Sequence, residues 1–342
     1  MLFEICRSLP VATLLALLAL PAWIGAAAAQ TVVRIAADPR LDVVHAPIAV
    51  AIDKGYFAAE GVDLAFEPNP NGRDAVTRLA TDAADVAVAD VNALIRAKAE
   101  TADLGVRAVL MLHDRPGYAI LGRRSRGMTK ELASLAGKRL GAPTTDPAVA
   151  AWPVLRTLNR IDPAAVTLEN VGVAVRTPMM VSGELDGAIG LAHAIGPDLR
   201  ARGVAAEDTI QLLMSDYGVE LYGNALLAGP KFLAEKPLAM AGFVKAYIRG
   251  LRDVIADPAA AIESLARRND AIRKDVDIER LQLILDQYML TPWVKANGFG
   301  GIDPDRFSRA IDQVVAGHQL KNRPSREDVF RDDFIPPDGR QF

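Results

Sequence analysis

The side chains best placed for chemistry are those that fall just after strand-like runs. Open α/β sheets bind their ligands at the carboxyl ends of the strands, so polar residues in those loops are the first candidates. Asp38, Asp42 and His45 follow the run Thr31 to Ala36, and Asp90 and Asn92 follow Val86 to Ala89. Thr144 and Thr145 follow Arg139 to Ala142, and His193 follows Asp186 to Leu191. Tyr217, Tyr222 and Asn224 stand where the chain character changes a second time. Such a set offers carboxylate and imidazole hydrogen-bond partners together with rings that can stack on a flat ligand. Each has a structural alternative. Asp146 before Pro147 reads as an N-cap with proline at the first helical position, and the two threonines can serve the same end. Trp152, about one turn into that helix, is either a stacking wall or core, and His45 and His193 are open between the cleft and a packed interior.

These candidates contain several acids and few bases. A site for nitrate, sulfonate or phosphate would call for free helix N-termini and for Arg or Lys. A neutral or amine-bearing ligand is therefore expected.

Nothing in the chain points to catalysis. The phosphate-cradling pattern G-x-x-x-x-G-K-[ST], the zinc-protease H-E-x-x-H and the nucleophile elbow G-x-S-x-G are all absent, and no two of the four histidines stand at metal-ligand spacing. The single cysteine, Cys6, lies near the N-terminus. The reading is a binding protein without cofactor, metal or enzymatic activity. A net charge of −3 and a densest basic run of only Arg123-Arg124-Ser125-Arg126 argue against nucleic acid as a partner.

The elements that must position these residues alternate. Strands are expected at Thr31 to Ala36, Val62 to Phe66 and Val86 to Ala89, with helices at Ile48 to Phe57 and Arg73 to Ala80 between them. That order predicts a mainly parallel sheet covered on both faces. A second unit starts after Pro116-Gly117, with strands at Tyr118 to Gly122, Arg139 to Ala142, Val166 to Val171 and Asp186 to Ile189. Helices are expected there at Leu132 to Leu135, Val149 to Arg160 and Pro178 to Ser182. Ala225 to Ala228 reads as one more short strand. Helical periodicity then dominates at Phe243 to Ile255, Ala260 to Arg268, Ile278 to Tyr288 and Pro304 to Ala316. The fold class is α/β, with two α/β lobes joined by a two-segment hinge and a ligand cleft between them. Lobe 1 takes 31–117 plus 224–318, lobe 2 takes 118–223, and 319–342 forms a C-terminal surface tail.

Residues 1–29 differ in kind. Arg7 precedes an almost wholly apolar stretch from Val11, which ends in Ala27-Ala28-Ala29. This is the pattern of a secretory signal peptide cleaved near Ala29. Its removal takes away Glu4 and Arg7 together, so the net charge stays at −3, and it takes away Cys6.

The run Ala51-Ile52-Asp53-Lys54-Gly55-Tyr56-Phe57-Ala58-Ala59-Glu60-Gly61-Val62-Asp63-Leu64 resembles the NMT1/THI5-like and sulfonate/nitrate group of periplasmic binding proteins. Leu135 to Gly141, Ser182 to Ala188 and Asp82 to Ala89 resemble the same group, and with the helices after Lys231 the likeness covers nearly the whole chain after the expected signal peptide. The resemblance implies a type II periplasmic binding fold. It further implies a small-molecule ligand, an ABC permease in the inner membrane as partner, a periplasmic location and a monomer. Asp38 followed by His45 is similar to the first-loop pair of the pyrimidine-precursor and riboflavin binders. Asn170-Val171-Gly172 and Asp216 to Tyr222 resemble the thiamine-pyrimidine branch more than the taurine branch. The chain departs from that branch at Pro39, where an aromatic usually stands, and at Arg40-Leu41, where Pro-Asn is expected. Sulfonate or another small anion is the alternative ligand. The pyrimidine-synthesising enzymes of the family are the other alternative, but they carry a cysteine-rich run that this chain lacks after Cys6.

Overall fold

The structure, a computed structural model, describes residues 30–68, 74–101 and 103–341. The expected signal peptide and Cys6 lie outside the described residues. Among the described residues ten strands form two five-stranded sheets. The first is ordered β2-β1-β3-β10-β4, where β1 is Thr31–Ala36, β2 Val62–Glu67, β3 Val86–Asp90, β4 Arg107–Met111 and β10 Asn224–Ala228. The second is ordered β7-β6-β8-β5-β9, where β5 is Tyr118–Arg123, β6 Arg139–Ala142, β7 Thr167–Asn170, β8 Gly187–Leu191 and β9 Thr209–Leu213.

Both sheets are mixed, and for the same reason. β10 runs antiparallel to β3 and β4, with Asn224 opposite Asp90, and β5 runs antiparallel to β8 and β9. These are the two strands that begin directly after a crossing between the sheets. A chain that enters a sheet from the cleft side starts at the carboxyl ends of its parallel strands, so it must run against them. The two crossings lie side by side: Leu112 and His113 both donate their amides to the Asn224 carbonyl, at 3.0 and 2.9 Å, and Gly223 N donates to His113 O at 3.0 Å.

Three hydrophobic clusters hold the elements. One face of the first sheet packs on helices 46–53, 237–256 and 258–266, through Ile48, Phe243, Tyr247 and Leu251. The other face shares a continuous cluster with the second sheet, which takes in Leu94, Trp152, Val154, Phe307 and Ile311. A smaller cluster, with Met180, Ile195 and Leu199, covers the far side of the second sheet. Residues 319–341 run back over the first sheet, where Phe330 bridges to Ala108 and Val329, Phe334 and Ile335 are buried.

Three local differences from the expected elements have simple causes. Pro178 sits inside helix Val173–Ser182 instead of opening one, within a stretch whose first turn is exposed. The helix expected over Ile278 to Tyr288 is an α-helix, Lys274–Leu283, that widens into a π-turn over Ile284–Met289. β4, β9 and helix Val91–Glu100 had no separate expectation, because short apolar runs such as RAVLM carry no period that distinguishes strand from helix.

Candidate functional site

Aspartates cap the helices that open between the sheets. Asp90 is the last residue of β3 and the N-cap of helix Val91–Glu100, and its carboxylate accepts from Asn92 N at 3.0 Å. The same oxygen accepts from the Asn92 amide at 2.7 Å and from the Tyr118 hydroxyl at 2.8 Å. Tyr118 begins β5, so this bond spans the two sheets. Asn92 is buried, and its amide also donates to Tyr222 O, at 2.7 Å, in the second crossing. Burial raises the Asp90 carboxyl above the usual carboxylate range, while the Arg96 charge and these hydrogen bonds pull it back. Burial raises the Tyr118 phenol as well.

A pocket of ≈ 150 Å³ opens beside this knot. From the first sheet it is lined by Asp90, Ala93, Arg96 and Asn224. Asp90, Ala93 and Arg96 recur every three residues and so share one face of helix 91–100. From the second sheet Thr145, Asp146, Pro147 and Ala150 face them, at the start of helix Pro147–Asn159. Asp146 caps that helix through Ala148 N at 3.0 Å, and its other oxygen accepts from Arg176 Nη1 at 3.0 Å. Arg176, only 3% exposed, also donates to Ile189 O at 3.1 Å. Burial raises the Asp146 carboxyl and the Arg176 charge opposes it. Thr145 is exposed where it lines the pocket, and the neighbouring Thr144, also exposed, donates its N–H to Asn170 Oδ1 at 3.2 Å.

A second group lies across the crossings. Asp42 accepts from Val44 N at 3.2 Å and pairs with His45 Nδ1 at 2.7 Å. Its side chain is 62% exposed, yet protein surrounds it closely enough that burial opposes its charge. His45 and His193 outweigh that and hold the Asp42 carboxyl below its usual range. His193 opens helix Ala192–Ala201, is buried, and packs at 5.6 Å against Tyr288 with the rings tilted by 57°, and Tyr288 also lies 6.1 Å from His113. The Tyr288 ring lies so close to Gly117 that a Cβ there would come within 2.5 Å of it. Burial lowers His193 to about 4 and His113 to about 3, so both rings are neutral at neutral pH. His193 Nδ1 is buried without a hydrogen-bond partner.

The structure thus gathers Asp90, Asn224 and Thr145 at one pocket, with Asn92 behind it and Thr144 next to Thr145 in the chain, and sets Asp42, His45 and His193 in a second group. Asp38 stands apart and exposed, accepting from Arg40 N at 2.8 Å. The three aromatic candidates are not among the residues that line this pocket. Trp152 is buried in the shared core. Tyr222 is fully buried, with its hydroxyl accepting from Asp303 N at 2.9 Å and its ring under Arg306 at 4.1 Å. Tyr217 donates its hydroxyl to Lys130 O at 2.5 Å, held within the second unit. Sequence reasoning missed Arg96, Tyr118, Arg176 and Tyr288. The signal for Arg96 was the three-residue spacing after Asp90, legible only once a helix is placed there. Among the described residues no three His, Cys, Asp or Glu side chains converge to hold a metal.

Comparison with known proteins places this geometry in a wider set. The sequence model of the NMT1/THI5-like family matches residues 42–261. A riboflavin-binding protein, RibY, of Chloroflexus aurantiacus is 26% identical over 303 residues, covering 86% of this chain and 83% of that protein. A formylaminopyrimidine-binding protein of Halalkalibacterium halodurans is 27% identical over 304 residues, 84% of this chain and 86% of that one. Further relatives carry the name 4-amino-5-hydroxymethyl-2-methylpyrimidine phosphate synthase. Among solved structures, the periplasmic aliphatic sulphonate binding protein SsuA of Escherichia coli superposes with a TM-score of 0.68 at 13% identity, over 88% of this chain and 92% of that one.

Proposed function

This chain belongs to the NMT1/THI5-like family and has the periplasmic binding protein fold, and we propose that it is the solute-binding component of an ABC importer for a small pyrimidine-type heterocycle. In this reading residues 1–29 direct export to the periplasm, and the protein works there as a monomer and not as an enzyme. Lobes of 31–117 plus 224–318 and of 118–223 close on the ligand by a hinge at the two crossings, and the closed form docks on the permease.

The observation that carries the ligand class is the state of the two helix N-termini at the pocket. Helices 91–100 and 147–159 both point their starts at it, and both starts are already occupied by their own aspartates, Asp90 and Asp146. A sulfonate would find one amide of each start already taken and two carboxylates lining the pocket beside its single arginine, Arg96. A neutral ring with N–H groups would find acceptors. Pocket size narrows the choice further, since ≈ 150 Å³ is well under the roughly 300 Å³ at which pockets for drug-sized ligands begin. One ring fits that volume better than the three fused rings of a flavin. The named relatives that bind formylaminopyrimidine and riboflavin support the heterocycle class.

A thermal-shift screen of the purified protein against aminopyrimidines, riboflavin, taurine and alkanesulfonates tests the reading. A ligand at a hundred times its Kd stabilises the folded state by about 2.7 kcal/mol, enough for a selective rise in Tm with an aminopyrimidine. A rise with sulfonates alone would overturn the ligand class. Conversion of the pyrimidine to a product in the same samples would overturn the binder.

A further inference from the structure

We infer that Arg96 is the specificity-determining residue of the interlobe pocket, and that it donates to a hydrogen-bond acceptor on the ring edge while Asp90 accepts from a neighbouring N–H. This rests on the ring-binding reading above and names the edge that the ring must present.

The argument starts from the charges around the pocket. Arg176 neutralises Asp146 from below, and Asp90 is held by Asn92 and Tyr118. Arg96 lines the same pocket, half-buried, yet makes no hydrogen bond or ion pair with any described residue. A guanidinium carries five donors in a planar fork, and a half-buried one left unpaired is poorly solvated. Asn224 and Thr145 add side-chain groups that likewise have no partner among the described residues. The walls between these groups are small: Ala93 stands between Asp90 and Arg96 on one helix, and Ala150 faces them from the other. His318 Nε2 meets Ala150 O at 2.8 Å, which fixes the wall at that point. A pocket of ≈ 150 Å³ with alanines in its walls, an acceptor at Asp90 and a planar donor fork at Arg96, six residues on, suits a small planar ring. The matching edge pairs an exocyclic amine or ring N–H with a ring nitrogen or carbonyl.

The test compares two probes that differ only at the two ring nitrogens, 4-amino-2-methylpyrimidine and 3-methylaniline, in which both are C–H. Calorimetry with the full protein should show the wild type preferring the pyrimidine by ~10-fold or more, the usual effect of leaving a charged donor unpaired. Arg96→Gln should weaken the pyrimidine by a similar factor and leave the aniline unchanged, which removes the preference. Arg96→Lys should recover only part of it, because a point charge does not reproduce the fork. Arg96→Gln also removes a charge that favours the ionised form of the buried Asp90, whereas Arg96→Lys keeps that charge, so the unliganded Tm of Arg96→Lys should match the wild type and its partial loss of preference cannot be assigned to misfolding. Unchanged preference in Arg96→Gln, with the wild type still binding the pyrimidine, would overturn the role of Arg96 and leave the function standing. Binding of sulfonates in place of any pyrimidine would overturn both.

Discussion

Two imidazoles face one phenol where the chain crosses between the sheets, and their burial ties stability to pH. His193 and His113 are held neutral, with values lowered to about 4 and about 3, chiefly by burial. In the unfolded chain each takes up its proton near pH 6.5. Between that value and the lowered one the unfolded state binds more protons, so stability is complete above about 6.5 and falls as pH drops. The loss is about 1.4 kcal/mol per pH unit for each ring, or roughly 2 kcal/mol apiece at pH 5. Urea midpoints at pH 7 and pH 5 should therefore differ by less in His193→Gln and His113→Gln than in the wild type. An equal loss in all three proteins would show that the rings are not the cause. Residue roles were legible in the sequence where they followed from chain position alone, as for Asp90 at a strand end or Asp42 in the first loop. The burial of Tyr222 was not, because it is decided by helix 304–318 and by the shared core, which no local pattern announces; for Trp152 the core reading was one of the two that its position allowed.

Helix Pro304–His318 acts as a clasp on both crossings. Arg306, in its first turn, donates to the Asp114 carboxylate at 2.7 Å and to the Asp114 carbonyl in the first crossing. It also donates to the carbonyls of Leu221 at 3.1 Å and Glu220 at 3.3 Å in the second. Thr291 donates to the remaining Asp114 oxygen, and Asp114 is only 4% exposed. Arg306→Ala would leave a buried carboxylate without its countercharge, a change that costs about 3 kcal/mol or more. Arg306→Lys should restore less than half of that, because one ammonium cannot reach both crossings. Denaturant titration measures both, and a loss under about 1 kcal/mol for Arg306→Ala would remove the clasp. At this scale the sequence was mostly readable, since alternating strands and helices with Asp-Pro starts announce themselves at 146–147 and 303–304. What escaped was orientation. β5 and β10 carry the same apolar patterns as their parallel neighbours, and only the position of the crossings turns them round. Helix 91–100 escaped as well, because β3 runs into it with Asp90 as the sole punctuation.

The two units meet on two flanks of opposite character, and this asymmetry governs how the whole molecule would open. On one flank helix 304–318 packs on helix 147–159 through apolar contact, with Gly317 so close to Val154 that a Cβ would come within 2.8 Å of its backbone. On the other, helix 192–201 meets helix 274–283 largely through charge. Arg273 pairs with Asp198 at 2.9 Å, Arg200 pairs with Glu279, and Arg280 donates to Ala194 O at 3.3 Å. Apolar packing is insensitive to moderate salt, whereas partly exposed ion pairs contribute at most about 1 kcal/mol each and are screened over roughly 10 Å at 0.1 M salt. With the hinge at the two crossings, the ionic flank is therefore the one expected to part while the apolar flank stays packed. Raising salt from 0.05 to 0.5 M should enlarge the radius of gyration of the unliganded protein in small-angle scattering. Glu279→Gln combined with Asp198→Asn should give the same enlargement at low salt, because it removes about 1 to 2 kcal/mol from the closed form. Saturating ligand should reverse both, since a ligand held by both units favours the closed state. A radius that ignores salt and the double substitution alike would mean that apolar packing alone holds the cleft shut.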